Sequence, residues 1–305
     1  MKARMGIAPI AWSNDDLPEL GGDTSLETCL SEARKAGFSG IETGGKFPPT
    51  SGELGPILEQ HSLTLCGGWY SGTVLENDLS AEKDQVHDQL ELFRDLSAPC
   101  LVYGETASTI QNQRTVPLNR RIRLDDDQVR SYGRRLTGFA EWCAEQGMPI
   151  SFHHHMGTAI ETEDDLDRLM NWTGEAVQLL YDPGHMAFAG GNVSRVITRH
   201  GARISHFHAK DVRRQVIDSL DRTRESFLDA VLKGAYTVPG DGSLDFVELV
   251  RLMADTGYEG WFVVEAEQDP AKAPPLEYAR MGHEALASAL DAAGYHIQDG
   301  EDEHG

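Results

Sequence analysis

The stretch Ile150-Ser-Phe-His-His-His-Met-Gly-Thr158 points to both a fold and a site. It follows the turn signal Gly147-Met-Pro149 and opens with an apolar run, which predicts a short buried strand. Side chains alternate along a strand, so His153 and His155 share one face and His154 takes the other. A lone histidine would suggest a satisfied polar strand end, whereas two imidazoles on one face could hold a divalent metal.

Strand-like and helix-like patterns alternate along the whole chain. Short apolar runs predict eight strands, and residues that recur at helical spacing predict the helices between them. Thr24 or Ser25 can cap the first helix, and Gly37 can end it. The predicted strands cover 5–10, 39–42, 63–66, 100–103, the run from 150, 177–181, 203–208 and 261–265, and the later helices cover 52–61, 80–97, 125–146, 164–172, 192–200, 244–256 and 276–290.

This order of elements predicts an α/β fold built as a single (β/α)8 TIM barrel. We assign residues 1–298 to the barrel and the acidic residues 299–305 to a disordered tail. The loops after the first, fourth and seventh strands are predicted to be long. Active sites of such barrels lie at the C-terminal ends of the strands, so the residues that follow each strand should carry the function.

Charge and composition argue against several classes of protein. The chain has 305 residues, and its 27 Lys and Arg against 49 Asp and Glu give a formal net charge of −22. Such an acidic surface repels phosphate backbones and anionic membranes, so we expect no nucleic-acid and no membrane partner. With no signal peptide and no apolar run long enough to span a bilayer, we expect a cytoplasmic protein. Four widely spaced cysteines predict reduced, mostly buried thiols: Cys29, Cys66, Cys100 and Cys143.

Histidines and carboxylates follow several of the predicted strands. The fifth to eighth strands end in His, Asp, His and Glu in turn, a mixed set that suits Mn, Co, Zn or Fe better than Mg. Glu265 emerges from an apolar strand, where a carboxylate is expensive to bury unless it pairs or binds a metal. The strand ends carry Glu42 with Lys46 beyond it, Glu105, His153-His-His155, Asp182-Pro-Gly-His185, His206-Phe-His208 with Lys210, and Glu265 with Glu267.

Three of these strand ends resemble the xylose-isomerase-like barrel superfamily of sugar epimerases, sugar isomerases and endonuclease IV. They are Asp182-Pro-Gly-His185, His208 with Lys210-Asp211, and Glu265. Within that superfamily, the sequence closely resembles the myo-inosose-2 dehydratase family of inositol catabolism, from about residue 5 to residue 290. The narrower resemblance is carried by the stretches 6–10, 12–22, 45–48, 103–105 and 153–158.

The resemblance implies a metal-dependent hydro-lyase, a carbon–oxygen lyase that acts on a small cyclic keto-polyol. The implied reaction converts 2-keto-myo-inositol (scyllo-inosose) to 3D-3,5/4-trihydroxycyclohexane-1,2-dione and water. It implies Mn or Co as the metal and allows glutathione as a further cofactor. The superfamily usually takes a glutamate from the fifth strand, and here a histidine stands in that place. The implied metal ligands are therefore His153, with His155 as the alternative, Asp182, His208 and Glu265.

Dehydration beside a ketone needs a base that removes a proton and an acid that protonates the leaving hydroxyl. We select His155, His185 and Lys210 as candidates, and the sequence does not divide the two roles among them. Some loop residues should face the substrate ring, where they could bind its hydroxyls or serve as ordinary polar loop residues. These substrate-binding candidates are Asn14, Lys46 and Glu105.

Three other functions remain as alternatives. A ketose epimerase, a sugar isomerase or a different keto-polyol dehydratase would use the same metal set, so the ligands do not discriminate among them. A DNA-repair nuclease needs more metal ligands and a basic face. The net charge of −22 argues against such a face. A non-catalytic sugar-binding barrel is the third alternative. The sequence does not give the oligomeric state and leaves a homo-oligomer open.

Overall fold

Eight parallel strands close into a barrel in the computed structural model, which describes residues 1–298. Each strand pairs with the next along the chain, and the eighth closes on the first with Ala3 opposite Gly260 and Ile7 opposite Val264. This confirms the predicted (β/α)8 barrel. The strands are β1 (Lys2–Ile7), β2 (Gly40–Thr43), β3 (Thr64–Gly72), β4 (Leu101–Glu105), β5 (Ile150–His153), β6 (Gln178–Tyr181), β7 (Ile204–Ala209) and β8 (Gly260–Val264).

Helices follow the strands and cover the outside of the barrel. The first one begins after Ser25, whose hydroxyl accepts a hydrogen bond from the Thr28 amide at 3.0 Å, and ends at Gly37 in the left-handed region at φ 108°. The helices are α1 (Leu26–Ala36), α2 (Ser51–Gln60), α3 (Leu79–Asp95), α4 (Asp126–Glu145), α5 (Glu163–Trp172), α6 (Pro183–Phe188), α7 (Val193–His200), α8 (Arg214–Ser219), α9 (Phe227–Leu232), α10 (Phe246–Asp255) and α11 (Pro275–Ala292).

The predicted bounds of the first and third strands differ most from the structure. The first strand ends at Ile7 rather than at residue 10, because Pro9 lacks an amide hydrogen and a short 3-10 turn, Pro9–Ala11, begins there. The third strand runs on to Gly72, well past the predicted end at residue 66. Its extension carries Trp69 to the C-terminal mouth of the barrel, where that side chain takes part in the site.

The segment from 211 to 243 forms a cap that the sequence patterns did not predict. It contains α8, α9 and a two-stranded antiparallel ribbon in which Asp211–Val212 pairs with Tyr236–Thr237. Its apolar side chains, with Phe227 and Tyr236 among them, form a buried cluster separate from the main core. The cap therefore closes one side of the barrel mouth and places an aromatic wall against the strand ends.

The predictions about the cysteines and about membrane-spanning segments can be compared with the structure in turn. The four cysteines are free and buried, as predicted. Among the described helices, none combines the length and the apolar character that a membrane crossing requires. The predicted acidic tail, 299–305, lies outside the described residues.

Candidate metal centre and active site

Four strand ends bring two imidazoles and two carboxylates together at the barrel mouth. The Asp182 Oδ2 atom lies 3.8 Å from His153 Nε2 and 3.8 Å from His208 Nδ1, and the latter atom contacts Glu265 Oε2. The four potential ligand atoms all lie within 4.8 Å of one another, and the side chains are buried. We call these four residues the metal cluster: His153, Asp182, His208 and Glu265.

The polar atoms of the metal cluster fit a divalent ion. Asp182 Oδ2 is buried and makes no hydrogen bond, and His208 Nδ1 and Glu265 Oε2, which are also buried, contact each other. Buried polar atoms normally have partners, because losing the hydrogen bonds that water provides is costly. A cation held between them would supply that partner, and two imidazoles with two carboxylates suit Mn, Co, Zn or Fe.

Hydrogen bonds orient both histidines of the metal cluster. His153 Nδ1 lies 2.6 Å from the His154 carbonyl oxygen, so this nitrogen donates and Nε2 faces the cluster. Glu42 Oε1 binds His208 Nε2 at 3.1 Å and His206 Nε2 at 2.9 Å. Burial would raise the pKa of Glu42, but the two imidazoles beside it lower that pKa to about 2. Glu42 therefore holds His208 so that its Nδ1 faces the cluster.

Removing the charge of Glu42 should weaken metal binding without removing a ligand. We expect Glu42→Gln to lower the affinity for Mn or Co roughly 10- to 100-fold, the usual cost of losing an outer partner of a metal-bound histidine. Competition with a chelator measures the affinity. The matched control is Glu82→Gln, another buried carboxylate, which lies in α3 and binds Tyr70 and Thr73. Equal affinities of Glu42→Gln and the control would contradict this assignment.

A second group of polar side chains lies beside the metal cluster. Glu267 Oε1 is 3.8 Å from both His155 Nε2 and His185 Nε2, and the two imidazole rings pack with centroids 3.8 Å apart. Lys210 Nζ lies 2.8 Å from Glu267 Oε2, 3.1 Å from Glu265 Oε1 and 2.9 Å from His185 Nε2. Lys210 thus links the second group to the metal cluster.

Charge in this second group is set by burial and by neighbouring carboxylates. Burial would lower the pKa of Lys210, but Glu265 and Glu267 raise it above its ordinary value. Burial also holds the pKa of His185 well below its ordinary range, and the nearby charge of Lys210 lowers it further. Lys210 is therefore a buried ammonium among carboxylates, and His185 is neutral.

A cavity of about 560 Å³ opens at the barrel mouth. Its inner wall includes His155 and Glu267 together with three members of the metal cluster, His153, His208 and Glu265. His185 and Lys210 are fully buried and do not line the cavity. Of the three residues predicted to transfer protons, His155 is thus the one that faces the cavity.

Of the three predicted substrate-binding residues, Lys46 lines the cavity, whereas Asn14 and Glu105 do not. Lys46 lines the cavity, but its ammonium donates to carbonyl oxygens of the loop after β1: Gly21 at 3.1 Å, Gly22 at 2.8 Å and Thr24. Asn14 is buried and does not line the cavity. Lys46 thus ties two loops together at the rim of the cavity.

Glu105 also lies away from the cavity wall. Its carboxylate accepts hydrogen bonds from the Leu75 and Ala107 amides, both at 3.0 Å, and from the Tyr103 hydroxyl at 2.9 Å. Burial raises its pKa to about 7. In the structure, Glu105 fastens the loops that follow β3 and β4.

Several further residues, not predicted from the sequence, line or support the site. Trp69 lines the cavity, with its ring 5.6 Å from the rings of both His153 and His155. Asp16 and Gln111 also line the cavity, and Tyr236 of the cap bonds His185 Nδ1 at 2.9 Å. The Asn-Asp-Asp triplet was a signal for Asp15 and Asp16, which both line the cavity, but the sequence does not show which of its three side chains face the cavity.

The fold and the metal cluster together define a (β/α)8 barrel whose C-terminal mouth carries four side chains that could hold a divalent metal. The chain belongs to the xylose isomerase-like TIM barrel family, whose model matches residues 30–289. It is 49% identical over 297 residues to the rhizopine catabolism protein MocC of Rhizobium meliloti, covering 97% of this chain and 91% of that protein. It is 40% identical over 280 residues to an inosose dehydratase of Geobacillus thermodenitrificans, covering 91% of this chain and 94% of that protein.

A solved structure shows the same fold at low sequence identity. The crystal structure of the IolI protein with a bound zinc atom matches with a TM-score of 0.66 and 14% identity, over 95% of this chain and 98% of that one.

Proposed function

We propose that this protein is a metal-dependent dehydratase that converts 2-keto-myo-inositol (scyllo-inosose) to 3D-3,5/4-trihydroxycyclohexane-1,2-dione and water. The observation that carries the proposal is the metal cluster, three of whose members, His153, His208 and Glu265, line one cavity together with His155, with Asp182 buried behind them. Similarity to an inosose dehydratase at 40% identity over 91% of the chain supports the reaction type. A cavity of about 560 Å³ suits a six-membered ring bearing hydroxyls.

Mn or Co is the proposed metal, held by His153, Asp182, His208 and Glu265. When bound, such an ion supplies a Lewis acid that polarises the ketone and stabilises the negative charge that develops as the neighbouring proton leaves. Glutathione gains no support from the described residues, since all four thiols are buried.

His155 is the proposed proton-transfer residue. Its Nδ1 bonds the Met156 carbonyl oxygen at 2.8 Å, which places the hydrogen of the neutral ring on that nitrogen. The Nε2 atom is then free to accept a proton in the cavity, and Glu267 at 3.8 Å stabilises the imidazolium that forms.

His185 and Lys210 are proposed to position other groups rather than to touch the substrate. The Lys210 ammonium holds the carboxylates of Glu265 and Glu267 at 3.1 and 2.8 Å. His185 lies between that ammonium and the Tyr236 hydroxyl, and its ring packs against His155. Both side chains thereby fix the direction in which Glu267 and His155 face the cavity.

Turnover of scyllo-inosose tests the proposal. We expect the protein, freed of metal with a chelator and reloaded with Mn or Co, to give the dione, seen as rising ultraviolet absorbance and loss of one water from the substrate mass. The chelated protein is the control and should be inactive. Recovery of an epimerised or isomerised sugar without a dione would instead favour an epimerase or isomerase.

A related cyclic keto-polyol is the second candidate substrate. The 49% identity to a rhizopine catabolism protein, higher than the 40% identity to an inosose dehydratase, favours it. The ratio of kcat/KM values for scyllo-inosose and its ring-substituted analogues decides between the two. The cytoplasmic location, the absence of a nucleic-acid partner and a homo-oligomer stay predictions.

A further inference from the structure

The triplet Asn14-Asp15-Asp16 presents three adjacent oxygen-bearing side chains, and two of them have structural partners. Asn14 Oδ1 accepts hydrogen bonds from the amides of Asp16 at 2.9 Å and Leu17 at 3.0 Å, so it forms a turn. Asp15 Oδ2 accepts from the Gly45 amide at 2.9 Å and links the loops after β1 and β2. These bonds fix the backbone of Asp16 and leave its carboxylate unused by the loop.

The carboxylate of Asp16 lies at the cavity wall with a buried amide beside it. Burial raises the pKa of Asp16, and the side-chain amide of Gln111, which also lines the wall and is only 7% exposed, counteracts that shift. The Gln111 Oε1 atom faces the Thr109 hydroxyl at 3.4 Å, which leaves the amide nitrogen for Asp16. Between residues 1 and 298, no lysine or arginine forms a salt bridge with Asp16. This carboxylate therefore retains acceptor capacity that faces the cavity.

Asp16 lines the same cavity as the proposed proton-transfer group. His155 and Glu267 also belong to the wall of that cavity. Because Asp16 lines the same cavity as His153, His208 and Glu265, a ring bound in that cavity can present hydroxyls to its carboxylate. A carboxylate has two oxygens and accepts up to four hydrogen bonds, so it can bind two neighbouring hydroxyls of one ring.

We propose that Asp16, positioned by Gln111, binds neighbouring ring hydroxyls of the cyclic keto-polyol and determines which hydroxyl pattern the enzyme accepts. This inference rests on the proposed function and assigns a specificity residue to the same site. A partly buried carboxylate left without its hydroxyl donors is costly, so the site rejects a ring that lacks them.

The test compares Asp16→Asn with the neighbouring Asp15→Asn on the metal-loaded protein. We expect Asp16→Asn to raise KM for scyllo-inosose roughly 10- to 100-fold with little change in kcat, because a charge-assisted hydrogen bond made equally before and during the reaction is lost. Asp15 also lines the cavity, but the Gly45 amide binds its Oδ2 atom at 2.9 Å. Asp15→Asn keeps an oxygen for Gly45 and should behave like the wild type. Metal content and thermal unfolding should be unchanged in both variants, and Asp16→Ala serves as a second variant that removes both oxygens.

Analogues that lack one ring hydroxyl separate substrate recognition from a structural role. The wild type should discriminate against one or two of these deoxyinososes roughly 10- to 100-fold, and Asp16→Asn should lose that discrimination. Unchanged KM and unchanged discrimination in Asp16→Asn would overturn the proposal, as would loss of metal or fold in both Asp16 variants.

Calorimetry with myo-inositol distinguishes a failure of the Asp16 proposal from a failure of the proposed dehydratase function. If the wild type does not turn over scyllo-inosose, the proposed dehydration fails, and the binding of myo-inositol to Asp16→Asn and Asp15→Asn decides the role of Asp16. Weaker binding by Asp16→Asn than by Asp15→Asn supports that role. Equal binding by the two variants, or no binding by the wild type, overturns it.

Discussion

Replacing Asp182 by asparagine will remove the bound metal and lower kcat/KM by on the order of 10³-fold or more, since a catalytic metal contributes several kcal/mol to the stability of a transition state. The substitution is nearly isosteric, and the amide oxygen can still accept the hydrogen bond that Asp182 Oδ1 receives from the His185 amide at 2.9 Å. The first turn of α6 is thereby retained, and what is lost is the charged ligand Oδ2. Metal per chain after dialysis and steady-state turnover measure the effect.

Asp78→Asn is the matched control for this prediction. Asp78 caps α3 through the Ala81 amide at 2.9 Å and lies outside the cavity lining, so its substitution repeats the chemical change without touching the metal cluster. The control should keep full metal content and activity. Full metal occupancy in Asp182→Asn would show that the ion, if one binds, is held elsewhere.

His155→Ala is expected to keep the metal and lose turnover by about 10²- to 10⁴-fold, the usual contribution of a positioned proton-transfer group. His153→Ala, two residues earlier, should lose the metal as well, because His153 belongs to the metal cluster and His155 does not. Metal analysis of each variant, followed by kcat at saturating scyllo-inosose, separates the two roles.

The histidine between them supplies the control. His154 is fully buried, and neither of its ring nitrogens has a hydrogen-bond partner, so His154→Phe removes no hydrogen bond. It should retain both metal and most activity. The opposite pattern, with metal lost in His155→Ala and retained in His153→Ala, would mean that the two histidines exchange roles.

The barrel and the metal cluster were predictable because both depend on short-range patterns. Apolar runs of the right length predicted the strands, and the parallel order of a closed barrel brings all C-terminal strand ends to one rim. His153, Asp182, His208 and Glu265 directly end or follow such runs. Alternation along the strand does not separate His153 from His155 or His206 from His208, so the superfamily resemblance was needed to choose among them. The cap between 211 and 243 was missed because its short helices and two-residue strands carry too few residues for a periodic pattern.

The cavity wall was harder to predict, because loop side chains are directed by contacts between distant parts of the chain. Asn14 was selected and Asp16 was not, although the turn made by Asn14 is what exposes Asp16 to the cavity. Lys46 reaches the rim, but its ammonium donates hydrogen bonds to carbonyl groups of another loop. The burial of Lys210 behind Glu267 likewise depends on the cap and has no signature in the local sequence.

Anomalous diffraction from a crystal soaked with Mn or Co tests the central claim most directly. The account predicts one strong peak about 2.0–2.3 Å from His153 Nε2, Asp182 Oδ2, His208 Nδ1 and Glu265 Oε2, the usual distance for such ligands. A peak bound instead by His155, His185 and Glu267, or no peak at the barrel mouth at a metal concentration that supports turnover, would contradict it.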